Sequence, residues 1–122
     1  LDTLLRTSDV ISVHAPLNEY TENLMDKAAF AKMKKDAIFL NLGRGPIVVE
    51  EDLAEALKQG TIAAAGLDVL RTEPIQPDNP LLAIKDSHKL LITPHIAWAS
   101  TEARTRLMQI VLDHVKGFAE RR

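Results

Sequence analysis

AIFLNLGRGP, residues 37–46, is a short apolar run that stops at a turn holding an arginine between two glycines. An apolar run of this length, bounded by turn residues, reads as a strand buried on both faces, as in a parallel sheet. A glycine on each side of Arg44 costs conformational entropy, so a close approach of the backbone has to justify the pair. The expectation is a ligand lying against this turn.

Three more segments share the character of the first: VISVHAP (10–16), IAAAGLDV (62–69) and KLLITPH (89–95). Helical patterns fill most of the spaces between them. Asp26 can cap a helix that carries Phe30 and Met33 inward and closes on KMKK, whose cations suit the negative end of the helix dipole. Glu50, Glu51 and Asp52 crowd the first turn of another, with Leu53, Ala56 and Leu57 inward and Gly60 as its stop. Ser100 can cap a long helix over 100–122, in which Ala103, Leu107, Ile110, Val111, Val115 and Phe118 describe one apolar face. TEPIQPDNP (72–80) replaces a helix with a proline-rich loop. The order is that of an α/β domain, a parallel sheet with right-handed crossover helices.

Ligands of such sheets bind beyond the carboxyl ends of the strands. The residues at those ends are His14, Arg44, Asp68 with Glu73 just beyond, and His95. Arg44 offers a planar fork of donors for a carboxylate. His95 can give or take a proton near neutral pH. Glu73, if it reaches the imidazole, would fix its tautomer and stabilise its cation. Together these three suit reduction of a 2-oxo acid. Each also has an ordinary reading, as surface charge, turn residue or loop carboxylate, and His88 and His114 receive only that reading.

Composition narrows the alternatives. With 122 residues the default is one domain, and a formal net charge of −2 without a Lys/Arg block argues against a nucleic-acid surface. No cysteine is present, which excludes disulfide frameworks and suits a cytoplasmic setting. No run has membrane-spanning length, and neither a metal-ligand spacing nor a serine-nucleophile elbow occurs. The chain opens on LDTLLRTSDV without a methionine, from which we expect a piece of a longer protein.

HAPL (14–17), MKKDAIFLNLGRG (33–45), GLDVLRTEP (66–74) and TPHIA (93–97), in this order and spacing, resemble the D-isomer-specific 2-hydroxyacid dehydrogenases, NAD-dependent enzymes of two Rossmann-like domains. The resemblance covers nearly the whole chain. It implies that Arg44, Glu73 and His95 are the catalytic arginine, glutamate and histidine. It also implies that Asp68 contacts the nicotinamide carboxamide, that Ala15, Pro16 and Thr21 line the adenosine side, and that Leu42, Gly43, Arg44 and Ala97 lie beside the cofactor. The two glycines would then let the backbone approach cofactor and substrate. PHIAWASTEAR is most similar to the glycerate dehydrogenase (hydroxypyruvate reductase) branch. The implied cofactor is NAD or NADP, the partner a small 2-oxo or 2-hydroxy acid, and the assembly a homo-oligomer.

Two departures stand out. The helix after the R-G turn has Val49 where the family often places an Asp or Asn cap. No G-x-G-x-x-G occurs, so the phosphate-binding turn is absent and residues 1–122 resemble only the second half of a doubly wound, Rossmann-type domain. The helix over 100–122 is the one that in the family returns toward the substrate domain. The competing expectation is a non-catalytic truncated remnant or an NADH-sensing binding module.

Overall fold

A computed structural model describes residues 1–121. The chain runs α1 (Asp2–Thr7), β1 (Val10–Val13), α2 (Lys27–Lys32), β2 (Ile38–Asn41), α3 (Glu50–Gln59), β3 (Ala64–Leu67), β4 (Leu90–Ile92) and α4 (Thr101–Ala119). The four strands form one parallel sheet in the order β1-β2-β3-β4. All four expected strands are present, each shorter than its apolar run because the run continues into the turn that follows.

Local chemistry accounts for the helix ends. The Asp26 side chain accepts from Ala29 N and starts α2, and the Ser100 side chain does the same for α4 through Ala103 N. α3 begins on Val49, which offers no side-chain cap, and its first turn holds three acidic residues, whose negative charge suits the positive end of the helix dipole. It ends on Gly60 at φ 69°, a left-handed position that glycine adopts without a Cβ penalty. α1 is an element that no periodicity announced: only Leu5 of its six residues is buried. Pro80–Ala83 forms a 3₁₀ turn capped by Asn79 where the stretch expected to be loop, 72–80, ends, and it buries Leu81. The expected end of α4 at Arg122 lies outside the described residues.

The core lies on one side of the sheet. Successive strands step in the same direction, so right-handed crossovers place α2 and α3 on a common face. α1 packs on α2 and α2 on α3. Phe30 of α2 meets Phe39 of β2 edge to face, ring centroids 5.3 Å apart, a geometry worth about 0.5–1.5 kcal/mol beyond the area buried. Leu53, Leu57, Ile11, Ala65 and Leu67 complete this layer.

The other face differs from the sequence expectation of burial on both sides. Val10, Ile38 and Leu91 share it by register and are 53%, 40% and 65% exposed. An apolar run shows that a strand can be covered twice. It does not say that this chain supplies both covers. α4 supplies none, since it buries no residue and leaves Leu107, Ile110, Val111, Val115 and Phe118 exposed. No helix among the described residues is long and apolar enough to cross a membrane.

Candidate active site

Three turns meet at the carboxyl ends of the strands. The first follows β2. Asn41, its last residue, is buried, and its side chain closes the turn from both sides: Nδ2 donates to Arg44 O at 2.9 Å and Oδ1 accepts from Gly43 N at 3.1 Å. The sequence reading passed over Asn41. A polar residue inside an otherwise apolar strand was the available signal, because buried amides need partners. Arg44 emerges from this turn exposed, its Nη1 donating to Gly43 O at 2.8 Å. None of the ion pairs among the described residues involves it, so its fork remains available to an outside anion.

The structure gives Gly45 a reason besides the expected ligand. Neither glycine beside Arg44 has a positive φ. A Cβ on Gly45 would lie 1.9 Å from both C and O of Leu70 and 2.4 Å from Arg71 N. The close approach at Gly45 is therefore protein against protein, where the turn after β2 seats on the chain after β3. Gly43 is less tight, its Cβ position 3.0 Å from Ala15 O.

The second and third turns carry a carboxylate–histidine pair. Glu73 Oε1 accepts from Leu70 N at 2.9 Å, and Oε2 lies 2.9 Å from His95 Nδ1. His95 has φ 56°, a left-handed conformation that costs a non-glycine residue on the order of 1–3 kcal/mol and persists only where its surroundings enforce it. Asp68 enforces it. This buried carboxylate accepts from Thr93 Oγ1 at 2.6 Å, Ile96 N at 2.9 Å and Ala97 N at 2.9 Å. Trp98 Nε1 donates to His95 O at 2.9 Å and holds the far side.

Both carboxyls titrate below their usual range. Burial pushes Asp68 up, but the bonds from Thr93, Ala97 and Ile96 outweigh it. For Glu73 the Leu70 N–H lowers the value most, burial opposes, and His95 adds to the lowering. A carboxyl depressed on folding stabilises the fold above its unfolded pKa, about 4, and that contribution is lost as pH falls through the folded value. Thermal unfolding midpoints should accordingly fall more steeply below about pH 4 in the wild type than in Asp68→Asn, whose amide does not titrate. Parallel pH profiles would remove Asp68 as the acid-sensitive brace.

Most of the expected site residues divide between two hollows. Asp68, Glu73 and His95 line one of about 400 Å³ with Leu70, Ile75 and Ile92. Ala15, Pro16, Leu42, Gly43 and Arg44 line another of about 500 Å³ with His14 and Leu17. Thr21 lies in neither and ties its own loop, with Oγ1 donating to Pro16 O at 2.7 Å. Ala97 contributes its N–H to Asp68. His14 Nε2 is 2.8 Å from Ser12 Oγ. A larger hollow than either, about 720 Å³, runs along Trp98 and α4. No acid–base group lines it, so size does not mark the chemistry in this chain.

Ala15, Pro16, Leu17 and Leu42 line the hollow beside the arginine together with polar backbone and His14. The residues for a dinucleotide's pyrophosphate are not in this sequence. A parallel sheet with an arginine and a carboxylate–histidine pair at its carboxyl edge has the architecture of the later half of a nucleotide-binding oxidoreductase domain. Residues 1–97 match the sequence model of the D-isomer specific 2-hydroxyacid dehydrogenase NAD binding domain, and the chain belongs to that family. It is 52% identical over 118 residues to a hydroxypyruvate reductase of Blautia hydrogenotrophica, covering 97% of this chain and 36% of that relative. The chain thus spans about a third of the length of such relatives. Among solved structures it resembles an acyclic imino acid reductase in complex with NADPH and D-Arg (TM-score 0.86, 33% identity, 98% of this chain and 37% of that one). It also resembles a D-isomer specific 2-hydroxyacid dehydrogenase from Lactobacillus delbrueckii ssp. bulgaricus in its NAD complexed form (TM-score 0.84, 30% identity, 98% and 40%).

Proposed function

We propose that residues 1–122 are the later part of the nucleotide-binding domain of a cytoplasmic NAD-dependent dehydrogenase that interconverts D-glycerate and hydroxypyruvate. The observation that carries this reading is the Glu73–His95 contact of 2.9 Å at the strand edge that also presents Arg44. Arg44 holds the carboxylate of the 2-oxo acid through two parallel N–H donors. His95 keeps Nδ1–H on Glu73 and directs Nε2–H at the carbonyl oxygen. When that proton leaves, the neutral ring remains in the Nδ1–H tautomer that Glu73 accepts, so no reorientation is needed. Bound NADH supplies the hydride that reduces the carbonyl carbon. Ala15, Pro16 and Thr21 serve its adenosine side, Leu42, Gly43 and Ala97 the nicotinamide side. Asp68 Oδ2, with one protein donor, keeps capacity for a carboxamide N–H.

The test is oxidation of NADH by a full-length enzyme carrying this segment, with hydroxypyruvate, glyoxylate and pyruvate compared. Hydroxypyruvate should give the highest kcat/KM, and no turnover with any 2-oxo acid would end the reading. Arg44→Lys should raise KM for the acid and lower kcat/KM by roughly 10–10²-fold, because a rotating ammonium cannot reproduce the fork. Unchanged kinetics would leave Arg44 a bystander.

The isolated chain should turn over no substrate, since it lacks the phosphate-binding turn. It should also associate. β1 pairs only with β2 among the described residues, and an open apolar edge templates another chain. Light scattering should report a dimer or larger species, and a stable monomer at tens of micromolar on the order used for such measurements would count against edge pairing.

A further inference from the structure

Glu50 stands apart from the other acids of its turn. It is buried while Glu51 is exposed, and a buried carboxylate is costly unless it is hydrogen-bonded. Both its partners lie outside α3. Oε1 accepts from Arg71 N at 2.7 Å and Oε2 from Asn79 Nδ2 at 2.8 Å. These contacts grip the two ends of a single loop, the one that carries Glu73. Between those ends lie two prolines, Pro74 and Pro77, which can donate no backbone N–H and leave the loop few ways to hold itself.

The grip continues into the turn after β2. Gly45 seats on Leu70 and Arg71 where a side chain would not fit. The Arg71 guanidinium reaches Asn23 Oδ1, and Asn23 N donates to Pro46 O at 2.9 Å. The peptide bonded by Glu50 is therefore adjacent to Leu70 N, the donor that holds the other oxygen of Glu73. We propose that Glu50 is a positioning residue, fixing the loop from Arg71 to Asn79 so that the Glu73 carboxylate stays on His95 Nδ1. The inference rests on the reading of His95 as proton donor and adds the residue that keeps it oriented from the opposite side of the loop.

Glu50→Gln is the informative change. One amide oxygen can still accept from Arg71 N, but the new NH₂ then faces the Asn79 NH₂, donor against donor. Asn79 cannot turn over to relieve this, because its Oδ1 caps Leu81 N at 2.9 Å. The readout is the long-range ¹H–¹⁵N imidazole spectrum of the ¹⁵N-histidine-labelled chain at about pH 9, where imidazoles are neutral and the protonated nitrogen is distinguished. His95→Ala assigns its signal among the four histidines.

The wild type should show His95 with the hydrogen on Nδ1, and Glu73→Gln should shift population to the Nε2–H tautomer. Glu50→Gln should move the same way, closer to Glu73→Gln than to wild type. Glu51→Gln, which removes a charge from the same helix turn without touching the loop, should leave the pattern unmoved. A folded Glu50→Gln chain with the wild-type pattern overturns the proposal. If that variant does not fold, Asn79→Ala reads the same grip from the loop side, and an unshifted His95 there overturns it equally. Because the readout is geometric, its failure is separate from failure of the hydroxypyruvate assay.

Discussion

Replacing His95 with alanine in the full-length enzyme should lower kcat for 2-oxo acid reduction by on the order of 10²–10⁴, the range of a positioned general acid. The cause is local: the Nε2–H proposed to protonate the carbonyl oxygen is gone, while Arg44 and the residues proposed to line the cofactor site remain. NADH affinity should change little. The alanine also removes the imidazole from Glu73 Oε2 but leaves Leu70 N on Oε1, so the loop keeps part of its anchor. Stopped-flow measurement of hydride transfer at saturating hydroxypyruvate checks this. A variant with near-wild-type kcat would remove His95 from the chemistry and leave the Glu73 contact as a structural pair.

Gly45→Ala should be the most damaging single change to the fold near the site. Its methyl would have to occupy space 1.9 Å from the Leu70 carbonyl. No flexible side chain can yield there, because both neighbours are backbone. Overpacking of side chains costs about 1–3 kcal/mol, and a backbone clash belongs at or beyond the top of that range. In a domain of this size that lowers the unfolding midpoint by on the order of 10–20 °C. Moving the two turns apart also moves Arg44 relative to the loop that carries Glu73. Thermal unfolding of Gly43→Ala is the comparison, since the closest approach of a Cβ there is Ala15 O at 3.0 Å. Equal midpoints for the two variants would mean that the seat at Leu70 is softer than its geometry implies.

The amino-acid sequence by itself determined the elements whose causes lie within a few residues. Asp26 and Ser100 mark helix starts because their oxygens reach N–H groups three positions on, and Gly60 marks a stop because it can take a left-handed φ. The order of apolar runs and helices implied a parallel sheet, and the sheet placed Arg44, Glu73 and His95 at one edge. α1 escaped notice because a six-residue helix burying one leucine leaves no periodic trace. What only the tertiary structure decided depends on chain segments far apart in sequence. Whether a strand face is covered depends on which way the crossovers step, and here Ile38 and Leu91 remain open while Phe39 is sealed. Gly45 is glycine because Leu70, twenty-five positions later, lies against it. Glu50 looked like a helix-dipole residue, since its composition and position are those of Glu51. Its burial follows from a loop that ends at Asn79, and no local pattern in EEDLAEAL records that contact. Local hydrogen bonds and periodicity are written where they act; close packing between distant turns is settled only when the layers meet.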